Sequence, residues 1–184
     1  MNLYTISDNP SICIGALDDF LLNRTIVESA QLLSTAIQEN DAIKVKPEGI
    51  YKSFNANETH NVWIRESKYN YKWVFMYLLE ALRQFKLRTG KSHKAWDVAR
   101  NLSEYEMYFP DVPMTPFPRK FKKELPEYNE LMNMKDTYEA YKKYLKLRWN
   151  ENVKDGRPPH WTRTAPPEFF MEGSVEQLEE EGRM

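Results

Sequence analysis

Three polar residues follow one another along a stretch of the sequence that is otherwise mostly apolar. Arg24, Glu28 and Gln31, followed by Thr35, are spaced four, three and four residues apart, so on a helix they form one narrow polar stripe. A carboxylate beside an arginine on a largely apolar helix can act as an acid, a base or a group that stabilises positive charge. Spacing alone favours the simpler alternative of an i,i+4 ion pair that faces solvent. We take Glu28, Arg24 and Gln31 as the candidate catalytic residues.

A second group of polar side chains is interleaved with aromatic rings between positions 60 and 73. Hydrogen-bonding groups next to flat rings suit the recognition of a nucleobase or a sugar-phosphate. An equally good interpretation is that the tryptophans anchor the core and that the polar residues cap a broken helix. The candidate nucleic-acid-binding residues of this group are His60, Arg65, Asn70 and Trp73.

A third group is basic and precedes a predicted helix start. From position 86 to 94, five of nine residues are Lys, Arg or His. Free backbone N–H groups and the helix dipole favour an anion at such a place, so a phosphate site is one interpretation and a solvated helix end is the other. The candidates here are Arg88, Lys91, His93 and Lys94.

The elements that must position these residues are all predicted to be helices. A helix from Asp18 or Asp19 to about Ile37 is apolar nearly all round, which is typical of a central core helix. Further helices are predicted over 59–88 with a break at 67–70, over 93–102 with Ser92 as its cap, and over 137–149. Residues 1–16 are predicted to form an extended start and a turn, and 38–57 and the Pro-rich 109–126 to form loops. We therefore predict an all-α, single-domain helical bundle over 1–150, with an extended arm and acidic tail over 151–184.

The composition excludes several classes of protein. The net charge of −1 provides no global positive field for DNA binding, although a basic patch can still exist on the folded domain. One cysteine cannot form an intrachain disulfide, and no Cys/His spacing predicts a metal site. No Gly-rich phosphate loop or nucleophile elbow is present, so no cofactor is expected. The chain has no secretory signal or membrane-length apolar run, and we expect a cytoplasmic protein with no membrane partner.

Several short motifs, weak singly and fairly specific as a set, resemble a family of small bacteriophage-encoded proteins. In chain order these motifs are Leu17-Asp18-Asp19-x-x-Leu22, Glu28-Ser29-Ala30-Gln31-Leu32-Leu33-Ser34-Thr35-Ala36, His60-x-x-Trp63-x-Arg65-x-Ser67-x-x-Asn70-Tyr71-x-Trp73, Arg88-x-Gly90-Lys91-x-His93-Lys94 and Thr115-Pro116-Phe117. More distantly, the first long helix and its Glu28 resemble the small, all-helical pyrimidine-dimer DNA glycosylases.

This resemblance implies a chemistry and a partner. In such glycosylases an N-terminal α-amine forms a Schiff base with deoxyribose, and the helix glutamate, here Glu28, stabilises the sugar cation. The chain departs from the pattern at Asn2, because a small residue is needed there for removal of Met1, so we expect Met1 to be retained. If retention of Met1 displaces the amine, the resemblance implies instead a helical relative that binds nucleotides or DNA without lyase chemistry, or one that alters a modified phage base.

The function expected from the sequence is therefore a DNA-directed, base-processing protein of glycosylase or lyase type. The rival is a phage accessory protein without enzyme activity, which binds a host or phage protein through its aromatic surface and tail. The near-neutral net charge and the acidic C-terminus favour the rival, whereas the polar stripe on the core helix favours the enzyme. The convergence of Arg24, Glu28, His60 and Arg65 in one pocket would support the enzyme.

Overall fold

The computed structural model describes residues 1–171. This part of the chain contains eight α-helices and one 3₁₀ turn, joined by loops. No strand occurs within these residues, so the prediction of an all-α fold is confirmed. No helix among them is both long and apolar enough to cross a membrane. The helices are α1 Pro10–Ala16, α2 Asp19–Gln38, α3 Thr59–Glu66, α4 Lys68–Thr89, α5 Ala95–Arg100, α6 Tyr128–Asn133, α7 Thr137–Lys154 and α8 Glu168–Met171, with the 3₁₀ turn at Glu106–Tyr108.

Helix α2 lies in the core, as its sequence predicts. Twelve of its twenty residues are buried, and it packs against α3, α4 and α5. Asp18 precedes the helix, but its side chain makes no cap hydrogen bond with the first turn. The Asp18 carboxylate instead accepts a hydrogen bond from Trp149 Nε1 at 3.1 Å, which ties the start of α2 to α7.

The predicted break in the second helical stretch falls at Ser67. Its backbone is extended, with φ of −152°, and its hydroxyl accepts a hydrogen bond from the Tyr69 N–H at 3.1 Å. The same hydroxyl donates to the carbonyl of Val112 at 2.5 Å and so fixes the Pro-rich loop to the break. Helix α4 then ends at Gly90, whose φ of 74° is the left-handed conformation typical of a helix C-cap.

Two helix starts differ from the sequence-based expectation. Asn9-Pro10-Ser11 was expected to form a turn, but Pro10 is the first residue of α1, and Asn9 caps it by accepting the Ser11 N–H at 2.9 Å. Proline favours this position because its nitrogen has no hydrogen to leave unsatisfied. Ser92 was expected to cap the third predicted helix. That helix instead begins at Ala95, and the His93 Nδ1 atom accepts the Ala95 N–H at 3.0 Å.

The residues after α7 fold back onto the helices. Helix α7 continues to Lys154, beyond the predicted end at 149 and across the predicted domain boundary at 150. Trp161 and Phe170 pack against Trp149, with ring centroids 5.1 and 5.2 Å away. The carbonyl of His160 accepts the N–H of Asp19 at 2.8 Å, so this segment also closes the start of α2. The predicted acidic tail from about residue 173 onward lies outside the described residues.

Candidate active site

A cavity of about 970 Å³ lies between the N-terminal residues, α2, α7 and the loop over 118–124. Its charged lining contains six Lys or Arg and only three Asp or Glu side chains, so the cavity is positive although the whole chain is nearly neutral. These residues are Arg24, Lys120, Lys122, Lys123, Arg148, Arg157, Asp18, Glu28 and Glu124.

Glu28 is held in one orientation at the wall of this cavity. Its Oε1 atom accepts a hydrogen bond from Arg24 Nε at 2.7 Å, and its Oε2 atom accepts the backbone N–H of Asn2 at 2.8 Å. Only 14% of the Glu28 side chain is exposed, against 52% for Arg24, so the carboxylate lies inward of the guanidinium. The i,i+4 ion pair predicted from the spacing therefore exists, and it faces a cavity.

The N-terminal residues are fixed beside Glu28 by a second set of hydrogen bonds. The Asn2 side-chain amide donates to the carbonyl of Lys120 at 2.9 Å, and its oxygen accepts from the Tyr141 hydroxyl at 3.2 Å. The backbone N–H of Lys120 donates to the same hydroxyl at 3.2 Å. Asn2 thus joins α2, α7 and the 118–124 loop, and it leaves Met1 on the cavity wall, one residue from the Glu28 contact.

The environment of the Met1 α-amine favours its neutral form. Burial lowers the pKa of this amine, the charge of Glu28 raises it, the charge of Lys120 lowers it, and the net pKa lies below the usual 8.0. A neutral amine has a free electron pair and is a nucleophile, and a lowered pKa increases the fraction of the amine in this form at a given pH. The structure thus places a primary amine with a lowered pKa and a fixed carboxylate in the lining of one cavity.

A partly buried hydrogen-bond group formed by Glu58, His60 and Lys120 acts electrostatically on the amine. Lys120 Nζ donates to Glu58 Oε1 at 2.5 Å, and His60 Nδ1 lies 3.3 Å from the same oxygen. Burial alone raises the pKa of Glu58, but the hydrogen bonds from His60 and Lys120 outweigh it and lower that pKa to about 2. Burial also lowers the pKa of His60, which favours a neutral ring at neutral pH. The Lys120 ammonium therefore forms an ion pair with the Glu58 carboxylate.

Two other cations of the cavity have no such partner. Within residues 1–171, neither Lys123 nor Arg148 has a side-chain hydrogen bond or an ion pair within 4 Å. The Nε–H of Arg148 is moreover buried without an acceptor. A phosphate oxygen is the type of acceptor that suits a free lysine and an arginine at the edge of a cavity.

Aromatic rings line the cavity between the amine and these cations. Tyr4 and Tyr144 are stacked, with centroids 6.5 Å apart and planes 16° from parallel. The Phe121 ring lies 4.9 Å from Tyr144. Phe20, one turn before Arg24 on α2, projects into solvent with 64% of its surface exposed. An exposed ring at the edge of a positive cavity can stack on a nucleobase.

Four predicted nucleic-acid-binding side chains are used inside the fold. His60 and Asn70 are fully buried, Trp73 is 8% exposed and Arg88 is 3% exposed. Asn70 Nδ2 donates to the carbonyl of Trp63 at 2.7 Å, and Trp73 Nε1 donates to that of Asp8 at 2.6 Å.

Arg88 joins two helix ends rather than a ligand. Its guanidinium donates to the carbonyls of Leu17 and Gly15 and to the Asp19 carboxylate. The basic group near residue 90 is consequently a smaller exposed surface than its sequence indicates.

The remaining candidates lie at some distance from the cavity lining. Gln31, a candidate catalytic residue, is not in the cavity lining, and its Nε2 atom donates to the carbonyl of Lys52 at 2.8 Å and to Thr35 Oγ1 at 3.2 Å. Arg65 Nη2 donates to the carbonyl of Ala56 at 2.9 Å. Of the four residues expected to converge, the structure brings Arg24 and Glu28 together, and neither His60 nor Arg65 lines the cavity.

The other basic candidates flank the turn between α4 and α5. Lys91 and Lys94 are exposed, whereas His93 is half-buried against the Phe85 ring, 5.0 Å away. None of the three lines the cavity described above.

Of the six Lys and Arg residues that line the cavity, only Arg24 was predicted as a site residue from the sequence. Lys120, Lys122 and Lys123 belong to the run Arg119-Lys120-Phe121-Lys122-Lys123, which was counted as part of a Pro-rich loop. This density of basic residues was the signal that could have identified them. Arg148 lies one helical turn after Tyr144 on α7, and nothing in the local pattern separates it from the lysines of that helix.

No known protein family, curated protein sequence or solved structure matches this chain. Within residues 1–171 no group of three or more His, Cys, Asp or Glu side chains is arranged to hold a metal ion. The function must therefore be argued from the cavity itself.

Proposed function

We propose that this chain is a base-directed DNA enzyme of glycosylase or lyase type, and that the cavity around Glu28 is its active site. One observation carries the proposal: a primary amine with a lowered pKa lines the same cation-rich cavity as a fixed carboxylate, and the next residue, Asn2, donates its backbone N–H to that carboxylate. An amine and a carboxylate are the two groups that cleavage of a glycosidic bond through an imine requires. The resemblance of the sequence motifs to phage proteins and pyrimidine-dimer glycosylases supports the same reaction.

The reaction assigns a separate role to each group. The neutral α-amine of Met1 attacks C1′ of a deoxyribose, the C1′–N bond to the base breaks, and the base departs with that electron pair and takes up a proton. The bond between C1′ and the ring oxygen then breaks, and the ring oxygen takes up a proton. As this bond breaks, the electron pair of the nitrogen forms the double bond of a protonated imine with C1′. The negative charge of Glu28 stabilises the positive charge that develops at C1′. Water releases the sugar and restores the amine.

The α-amine is a better nucleophile than the neighbouring Lys120 side chain. The Lys120 ammonium is paired with Glu58, and an ammonium that donates to a carboxylate has no free electron pair. Burial lowers the pKa of the Met1 amine, which increases the fraction of neutral amine at neutral pH.

The other lining residues hold the substrate in this proposal. Lys123 and Arg148, which lack carboxylate partners in the described part of the chain, contact the phosphates on either side of the target nucleotide. Phe20 stacks on a base at the mouth of the cavity. These contacts are local to the cavity, and a net charge of −1 for the whole chain is compatible with them.

The test is reductive trapping on defined DNA. Duplexes that carry an abasic site, an ultraviolet-induced pyrimidine dimer or a phage-type modified pyrimidine are incubated with the protein and borohydride. We expect a covalent adduct with at least one of these, and peptide mapping should locate it on Met1. Because the neutral amine is the nucleophile, the trapping rate should rise with pH and reach half of its maximum below pH 8.

Two variants make this test specific. Glu28→Gln keeps the shape of the side chain and removes its charge, so trapping should fall by about 100-fold or more while DNA affinity changes little. Glu39→Gln, an exposed position at the end of the same helix, is the matched control and should behave like the unaltered protein. The proposal is overturned if no DNA binds at low salt and Glu28→Gln alters only thermal stability. An adduct mapped to Lys120 would reject Met1 as the nucleophile.

A further inference from the structure

A second concavity, the α4 groove, runs along one side of α4 and shares no lining residue with the active-site cavity. It has a volume of about 1,220 Å³. Its other walls are the start of α1, Trp96 of α5 and the loop at Pro113 and Met114. Nothing in the proposed reaction uses this groove.

The α4 groove is lined mainly by apolar side chains that face solvent. Tyr69, Met76 and Leu79 lie on one stripe of α4, because their spacing keeps them within a narrow range of angles around the helix. Trp96 and Met114 face them across the groove. Met76 is 48% exposed, although a helix surface in water normally places polar residues at such a position. A continuous apolar groove of this kind marks a surface that another molecule covers.

Unpaired lysines lie on the same stripe as this apolar floor. Lys72 and Lys86 are fourteen residues apart, which is about 21 Å along a helix. Within residues 1–171 neither lysine pairs with a carboxylate, whereas the nearby Glu80 is already bound by Arg83 at 2.6 and 2.8 Å. The groove therefore has an apolar centre with a positive charge on either side of it.

We propose that the α4 groove binds an acidic amphipathic α-helix of a partner protein. About four helical turns match the distance between the two lysines. The partner's apolar face packs on Met76, Leu79 and Trp96, and its acidic residues, near both ends, meet Lys72 and Lys86. Flexible methionine side chains adapt to the shape of such a helix.

Charge argues against a second copy of this chain as the occupant. In a symmetric, antiparallel pair of α4 helices that cross at Leu79, the midpoint between the two lysines, Lys72 of one copy faces Lys86 of the other, because a two-fold contact is self-complementary. Like charges at both ends would oppose that contact.

The test uses full-length protein and two synthetic, fluorescein-labelled peptides of equal length. Both peptides carry Leu and Met at i, i+3, i+4 and i+7, and they differ only in having Glu or Lys at their ends. Fluorescence anisotropy should show that the acidic peptide binds about tenfold more tightly at low salt. The double variant Lys72→Glu/Lys86→Glu should reverse the order of the two affinities.

Position-specific variants locate the binding. Met76→Glu places a charge in the groove and should weaken binding of the acidic peptide by about tenfold. Met132→Glu changes a methionine of similar exposure, 37%, outside the groove, and it should leave the affinity unchanged. These effects do not depend on the active-site chemistry, so failure of the trapping assay leaves this test intact.

Three results would overturn the proposal. The first is equal affinity for both peptides, or no binding at about 100 μM peptide. The second is dimerisation in sedimentation that Met76→Glu abolishes, which would identify a second copy as the occupant. The third is displacement of the bound peptide by a single-stranded oligonucleotide, which would make the groove a nucleic-acid surface.

Discussion

The active-site cavity and the α4 groove both carry excess positive charge, but they differ in what surrounds that charge. In the cavity, which we propose as the active site, hydrogen bonds fix Asn2, Arg24 and Glu28, and the unpaired cations line the same cavity as these polar groups. In the groove, unpaired lysines flank an apolar floor that has no fixed reactive group. Rigid polar contacts suit chemistry at a defined atom, whereas a deformable apolar floor suits recognition of a surface. A positive charge alone therefore does not identify the ligand of a surface. The groups around that charge indicate whether it suits a phosphate or another protein.

The most demanding test of this distinction removes the unpaired cations of the cavity and, separately, those of the groove, and compares the effect of each change on DNA binding. In the double variant Lys123→Ala/Arg148→Ala, DNA affinity at low salt should fall by about tenfold, and the slope of log K against log salt should decrease by about 2 because two phosphate contacts are lost. Fluorescence anisotropy of a labelled duplex at several salt concentrations measures both quantities.

The matched control for this prediction comes from the groove. Lys72→Ala/Lys86→Ala removes the same total charge but should leave DNA affinity and its salt slope nearly unchanged. If both double variants weaken DNA binding equally, the cations act as a general positive surface, and the distinction between cavity and groove fails.

A smaller effect sharpens the role assigned to the edge of the cavity. Loss of one base–aromatic stack should make Phe20→Ala weaken DNA binding by about fivefold with little change in the free energy of unfolding, since the ring is 64% exposed. Phe54→Ala removes a ring that is 54% exposed but lies outside both concavities. Titrations with 2-aminopurine-labelled DNA should show altered base stacking for the Phe20 variant only.

The smallest predicted effect concerns the acid stability of the cavity side. The pKa of Glu58 is about 2 in the folded protein against a usual 4.5, so the unfolded chain binds more protons between these values, and Glu58 stabilises the fold above pH 4.5. This stabilisation should be lost as the pH falls from 4.5 towards 2. His60, whose folded pKa is also lowered, should add to the loss below its usual 6.5.

Thermal unfolding measures this dependence directly. Glu58→Gln should lower the midpoint by on the order of 5 °C at pH 6 and should flatten the decline between pH 4.5 and 2. Glu80→Gln, which changes a carboxylate in the α4 groove that is paired with Arg83, serves as the comparison and should retain the steep decline.

The sequence was sufficient for the longer helices α2, α3, α4 and α7 and insufficient for the site, because the two depend on contacts of different range. Helix α2 and the break at Ser67 follow from apolar spacing and capping within a few residues. The pairing of Glu28 with Arg24 was likewise predictable from their i,i+4 spacing. The placement of Met1 and Lys120 beside Glu28 depends on hydrogen bonds from Asn2 across 26 and 118 positions, which no local pattern encodes.

Several residues predicted to contact DNA instead lie inside the fold. His60, Asn70 and Arg88 are polar residues that the sequence presents as available, but each satisfies backbone or side-chain groups inside the fold. Polar groups can be buried when they find such partners, and those partners come from distant parts of the chain. The sequence therefore cannot distinguish a polar residue that organises a loop from one that meets a ligand.

The distribution of the five tryptophans provides an optical reporter for one of the two regions. Trp63, Trp73 and Trp149 are buried, whereas Trp96 and Trp161 are partly exposed. Only Trp96 among these two lines the α4 groove, since Trp161 is held against Trp149 and the carbonyl of Ala16. Acrylamide quenching of the unlabelled protein should thus contain a component from the groove, which Trp96→Phe removes. A ligand in the groove should shift the emission maximum of Trp96. A ligand in the cavity should leave that emission unchanged, because Trp96 does not line the cavity.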